Sequence, residues 1–224
     1  MFKTLIFALL IFLAFAPQVA GQEKYVRFVD EAAKDKSFSD FRQKLLDAVK
    51  MRDAKFVLSI LDPKIQNNFG GGAGIADFKK TWKINNRNSP FWDEMLTVLS
   101  NGGKFMDKER QTFGAPYLYA QPLPDNLDVF EYAAIFGENV NLRQQPNANS
   151  PIIATLSYNV VVPDFDRSIQ DKSKVNEYHW VWVETLGGKK GYVAGQFVRS
   201  PIDYRAVFEK KNGKWKMTAF IAGD

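Results

Sequence analysis

The chain has 224 residues, a formal net charge of +5, one histidine and no cysteine. That length can hold one or two domains with real cores. The missing cysteine excludes disulfides, a cysteine nucleophile and lipid attachment at an N-terminal cysteine.

The N-terminus reads as a leader. Lys3 precedes an unbroken apolar run from Leu5 to Ala16, too short to cross a bilayer comfortably, and Val19-Ala20-Gly21 supplies small residues for cleavage. Residues 1–21 are therefore expected to be a secretory signal peptide, removed before Gln22. Nothing after it is apolar enough to span a membrane, so the mature protein is expected in the periplasm or outside the cell.

Residues 22–37 are charged and weakly periodic, as in a linker or short helix. From Ser37, apolar Phe38, Phe41, Leu45 and Val49 recur at three- and four-residue steps, which predicts a helix capped by Ser37 or Ser39. Arg52-Asp53 interrupts it. A second helix is predicted from Ala54 to Leu61, stopped by Asp62-Pro63 because a residue before proline avoids the helical region. The glycines at 70, 71, 72 and 74 fit neither phosphate-binding glycine spacing and predict a turn. Helices follow at 75–82, with Phe78 and Trp82 on one face, and after Ser89-Pro90, with Ser as cap and Pro at the first position. Asn101-Gly102-Gly103 ends the latter. Candidate strands lie around 64–69 and 113–119, and Phe130–Phe136 leads into another.

From Glu138 onward the pattern is β. Val140 and Leu142 alternate with Asn141 and Arg143, and a loop punctuated by Pro146 and Ser150-Pro151 follows. Strands are predicted at 152–156, 159–165 and 179–186, the last with Trp180 and Trp182 on one side and Val181 and Val183 on the other. Gly187-Gly188 marks a hairpin, and a fifth strand runs through Gly191-Tyr192-Val193. Five short strands fit a small closed barrel.

Asn139-Val140-Asn141-Leu142-Arg143, Pro146, Ile153-Ala154-Thr155-Leu156, Trp180-Val181-Trp182-Val183 and Gly191-Tyr192-Val193 together resemble the bacterial SH3 domains of exported proteins. The sequence departs from that pattern at Gln145, where glycine is usual, at Tyr158-Asn159, where Lys-Gly is common, and at Tyr192, where Trp is usual. An insertion, 166–178, lengthens the connection before the Trp strand. The resemblance implies a barrel that binds a cell-wall peptide or polymer, or an envelope protein, through a surface including Tyr178, Trp180 and Tyr192, with Arg143 as a polar contact. The competing reading places Trp180 and Tyr192 in core or inter-domain packing. The stretch FGGGAGIADFKKTW also resembles segments that accompany such barrels in exported bacterial proteins.

The tail, 201–224, has two apolar-rich strands, Tyr204–Glu209 and Trp215–Ile221, around Asn212-Gly213, a strong hairpin signal. A lone hairpin needs a partner sheet, so the tail is expected to return to the N-terminal domain. The expected architecture is α+β. A helix-rich N-terminal domain (22–137), loosely similar to the nuclear-transport-factor-two-like cone folds and their pocket between sheet and helices, is completed by the C-terminal hairpin (201–224). An all-β SH3-like barrel (138–200) is inserted between them.

The expected function is non-enzymatic, with no catalytic residue, cofactor, metal or nucleic-acid partner. His179 is the only histidine, and no G-x-S-x-G elbow exists for a serine nucleophile. The alternatives are a carboxylate-dependent wall hydrolase and an assembly protein whose barrel only packs on its own N-terminal domain. Asp93 and Glu94, the adjacent acidic pair, point apart on a helix and suit its N-terminal dipole.

Overall fold

A computed structural model describes residues 21–171 and 178–223. The expected leader therefore lies outside the described residues except for Gly21. The architecture is mixed α and β, built on two sheets.

The first sheet carries four helices on one face. Helix α1 (Lys36–Met51) is capped by Asp35, whose carboxylate accepts the Phe38 amide at 2.9 Å. The expected serine caps are corrected here: Ser37 instead donates its hydroxyl to Asp35, 2.6 Å away. Arg52 takes the left-handed conformation, and Asp53 caps α2 (Ala54–Ile60). The helix ends just before Asp62-Pro63, and the chain enters β1 (Leu61–Gln66), so that Asp62-Pro63 falls inside a strand. Proline is tolerated because β1 is an edge strand, where a missing N–H breaks no ladder. Helices α3 (Gly74–Trp82) and α4 (Phe91–Ser100) follow, with the Ser89 hydroxyl accepting the Phe91 amide at 3.2 Å.

Strands β2 (Lys104–Phe105) and β3 (Thr112–Ala115) come next, and the tail supplies β11 (Arg205–Lys211) and β12 (Lys214–Ile221). Asn212 and Gly213 join these two, both at positive φ, as a two-residue hairpin turn requires. The sheet order is β1-β12-β11-β3-β2, with β1 parallel to β12 and the other pairs antiparallel. The interval between helices and sheet is filled by aromatic rings, among them Phe38, Phe91, Phe113, Phe208, Trp215 and Phe220.

The second sheet is wholly antiparallel and curls into a half-barrel. Its strands are β4 (Ala133–Ile135), β5 (Val140–Arg143), β6 (Ile152–Leu156), β7 (Val160–Gln170), β8 (Tyr178–Thr185), β9 (Lys190–Ala194) and β10 (Val198–Arg199). Their order is β10-β4-β7-β8-β9-β5-β6. Seven strands replace the expected five, because β4 and β10 pair with each other at the sheet's end. The segment read as an insertion is also partly strand: β7 continues to Gln170, and β8 resumes at Tyr178. The inner face holds Ile135, Val140, Leu142, Val161, Val181, Val183 and Val193.

Residues 22–26, expected as a linker or helix, are extended and lie on the half-barrel. The Val26 amide donates to the Tyr158 carbonyl, and the Val160 amide donates to the Lys24 carbonyl, each at 2.8 Å. The Glu23 carboxylate accepts from Thr185 at 2.8 Å, Asn159 at 3.1 Å and Lys189 at 3.2 Å. Burial works against its charged form, but these donors outweigh burial and hold Glu23 below its ordinary pKa. The same segment then reaches the helical side, where Arg42 donates to both Asp30 carboxylate oxygens at 2.7 Å.

Four more carboxyls are held low by donors: Glu31 by Lys34, Asp35 by Ser37, Asp62 by Lys211 and Asp107 by the Gln111 amide. The folded pKa lies below the unfolded one, so the stability these groups add is present above about pH 4. It is lost as pH falls through the folded values. The melting temperature should therefore hold from neutral pH to about 4 and drop steeply below it, with Glu23→Gln flattening part of that drop. Thermal melts across the acid range would show this, and a flat profile would refute it.

Candidate functional site

The candidate site is the outer face of the half-barrel. Side chains paired across an antiparallel ladder share a face. The pairings Arg143↔Tyr192, Trp182↔Tyr192 and Asp164↔Trp182 therefore place these four residues in one row across β5, β9, β8 and β7. The next row holds Ile169, Trp180 and Ala194. Val181, Val183 and Val193 point the other way, into the barrel core.

One half of the outer face is covered. Ala134, Phe136 and Val160 pack against Val26, Tyr117, Leu118 and Leu123 from the N-terminal segments. The row of Trp182 and Tyr192 is absent from that cluster, and Trp180 and Tyr192 remain partly exposed.

Two irregularities in the β7–β8 ladder shape the site. Between Asp164↔Trp182 and Ile169↔Trp180, β7 advances five residues while β8 advances two. The surplus folds outward around the Ser168 hydroxyl, which donates to the Asp164 carbonyl at 2.6 Å and accepts the Trp182 amide at 3.0 Å. This bulge lays Arg167 over Trp182, the guanidinium carbon 3.8 Å from the ring centroid, and the stacking removes most of Trp182 from water. Between Ile169↔Trp180 and Gln170↔Tyr178 the count slips again, by one residue. A one-residue slip exchanges faces. Tyr178 accordingly packs against the barrel core and against Phe165, with ring centroids 5.0 Å apart.

Of the four residues singled out in the sequence, the fold thus brings Arg143, Trp180 and Tyr192 onto one face and turns Tyr178 to the other. Arg143 also has a local duty. Its guanidinium donates to the Ser150 carbonyl at 2.7 Å and, with the Gln145 amide on the Ser150 hydroxyl at 2.8 Å, closes the loop 144–151. Gly191 permits the close approach of β9 to β5, since a Cβ there would lie 2.5 Å from the Arg143 carbonyl oxygen. Trp182 and Arg167 were missed as surface contributors. The alternation in the sequence already puts Trp182 on the side of Trp180, whereas nothing local announces the bulge that carries Arg167.

Chemically, the face offers flat aromatic area bounded by two guanidinium groups. Asp93 and Glu94 have separate partners, Arg52 at 3.8 Å and Arg199 at 2.6 Å. His179 is exposed and sits 3.4 Å from Asp171. Among the described residues no group of three or more His, Cys, Asp or Glu side chains is placed to hold a metal ion, and no helix is long and apolar enough to cross a membrane.

Residues 138–199 match the bacterial SH3 domain family. The match runs from the turn before β5 to the end of β10, so it leaves out β4, which is a strand of the half-barrel, and segment 22–26, which packs on it. No curated protein and no solved structure matches the chain.

Proposed function

We propose that this is an exported, non-enzymatic envelope protein whose SH3-type half-barrel binds a cell-wall peptide or polymer. The observation that carries the reading is the uncovered half of the outer face, where the partly exposed Trp180 and Tyr192 lie near Arg143 and beside Trp182, itself roofed by Arg167. Aromatic planes suit sugar rings and peptide bonds alike, and guanidinium groups suit the carboxylates that wall polymers carry. The bacterial SH3 match of residues 138–199 supports the same class of ligand, and the Lys3-led apolar run supports export.

The mature chain should sediment with purified peptidoglycan sacculi. Trp180→Ala should weaken that binding by about tenfold or more, as for an aromatic anchor in an interface. Trp180 is not part of the barrel core, so the melting temperature should stay within about 3 °C of wild type. Loss of stability with unchanged binding would instead assign Trp180 to packing. That outcome would favour an assembly role, to which the covered half of the face, packed on the protein's own N-terminal segments, already lends support.

A further inference from the structure

A second feature lies away from the aromatic row, where the chain passes between its two sheets. It leaves the first sheet after β3 and the half-barrel after β10. The two connections meet around an open cleft of about 370 Å³, walled by Tyr119, Pro122, Leu123, Val129, Pro201 and Ile202. Its walls are apolar, and the one charged side chain lining it is Arg205.

Arg205 begins β11. Its neighbour Ala206 faces the helices, so Arg205 projects from the helix-free side of the sheet. It is only 6% exposed. The guanidinium carbon lies 5.2 Å from the ring centroid of Tyr119 and 5.4 Å from that of Phe69. It donates to the Ile202 carbonyl at 3.0 Å and the Gly223 carbonyl at 2.8 Å. Among the described residues no carboxylate forms an ion pair with it.

Asp203 is the nearest acid in sequence, and its carboxylate instead accepts the Ser200 amide at 2.8 Å. Burial raises the Asp203 pKa, against the opposing pull of Arg199 and Arg205. Among the described residues the Arg205 guanidinium is met by two carbonyl dipoles and by the field of Asp203, and an incoming anion would offset more of its desolvation cost.

We propose that this cleft binds a small carboxylate with an apolar body. The carboxylate would meet the guanidinium of Arg205, and the body would cover Leu123, Val129, Pro201 and Ile202. The two carbonyls orient the guanidinium, and its planar fork suits a planar anion in a charge-assisted hydrogen bond. The cleft falls in the usual size range of small-molecule sites and at a junction between structural units, where such sites concentrate.

The test uses the mature chain with octanoate and its neutral isostere octanamide, read by titration calorimetry and thermal shift. Octanoate should bind saturably with a dissociation constant of about 1 mM or tighter, and octanamide at least tenfold more weakly. Arg205→Gln should abolish the difference between the two ligands. Ile202→Trp, which fills the cleft and leaves the guanidinium in place, should abolish octanoate binding even if the Arg205 variant does not fold. Equal affinity for the amide, unchanged binding by Ile202→Trp, or no saturable binding up to about 10 mM would each overturn the proposal. None of these readouts involves the wall-binding face.

Discussion

Removing residues 203–224 is expected to unfold the helical part of the protein while leaving the half-barrel folded. The deleted segment contains β11 and β12, which fill adjacent interior positions of the five-stranded sheet. Without them, among the described residues, β1 loses the strand it pairs with, and β3 keeps the two-residue β2. Phe208, Trp215, Met217 and Phe220 also leave the core, each nearly or fully buried. At about 1.5–3 kcal/mol for each large side chain, the loss rivals the whole stability of an ordinary domain, about 5–15 kcal/mol. None of the four belongs to the half-barrel core. Far-ultraviolet circular dichroism should show most of the helical signal gone, while nuclear magnetic resonance of the truncated chain keeps dispersed signals from the half-barrel. A cooperative melt with full helical signal would show that the hairpin is dispensable.

Phe38→Ala should be the most damaging single substitution. The ring is wholly buried and touches five others, with centroids 4.1 Å from Phe113, 4.8 Å from Trp215, 5.8 Å from Phe105, 5.8 Å from Phe208 and 6.0 Å from Phe41. These neighbours come from α1, β2, β3, β11 and β12, so none can collapse into the void without disturbing another element. A phenylalanine truncation in such a site costs about 3–5 kcal/mol. Urea unfolding followed by helical signal should show the midpoint lowered by a corresponding amount with an unchanged slope. A change below about 1 kcal/mol would mean that the surrounding rings repack freely.

Much of the helical half is readable from the order of residues. Phe38, Leu45 and Val49 repeat at helical spacing because one face of α1 must meet the sheet, and Ser89-Pro90 and Asn212-Gly213 are local signals whose geometry is fixed by their own backbone. Features set by distant partners were not readable. Asp35 outcompetes Ser37 as the cap because the serine hydroxyl is a donor to it, which spacing cannot reveal. The charged stretch 22–26 is only weakly periodic, and becomes extended because Tyr158, Asn159 and Thr185 offer it partners more than a hundred residues later. The same holds at the outer face. Alternation correctly separates Trp180 from Val181, but it cannot show the slip after Ile169 that sends Tyr178 to the opposite side.

The segment 22–30 has a mechanical consequence. It is attached to the half-barrel at Val26 and to the helical side at Asp30 and Arg42, and it packs along the crossing at 116–132, while a third crossing runs through 200–204. A module on one flexible leash can swivel, and tension on it is absorbed by the leash. Here three chain crossings act as struts, reinforced by the Arg199–Glu94 pair at 2.6 Å. A pull applied at the aromatic row is therefore delivered as torque to α4 and the sheet beneath it, so that anchorage to a rigid polymer would fix the orientation of the whole molecule as well as its position.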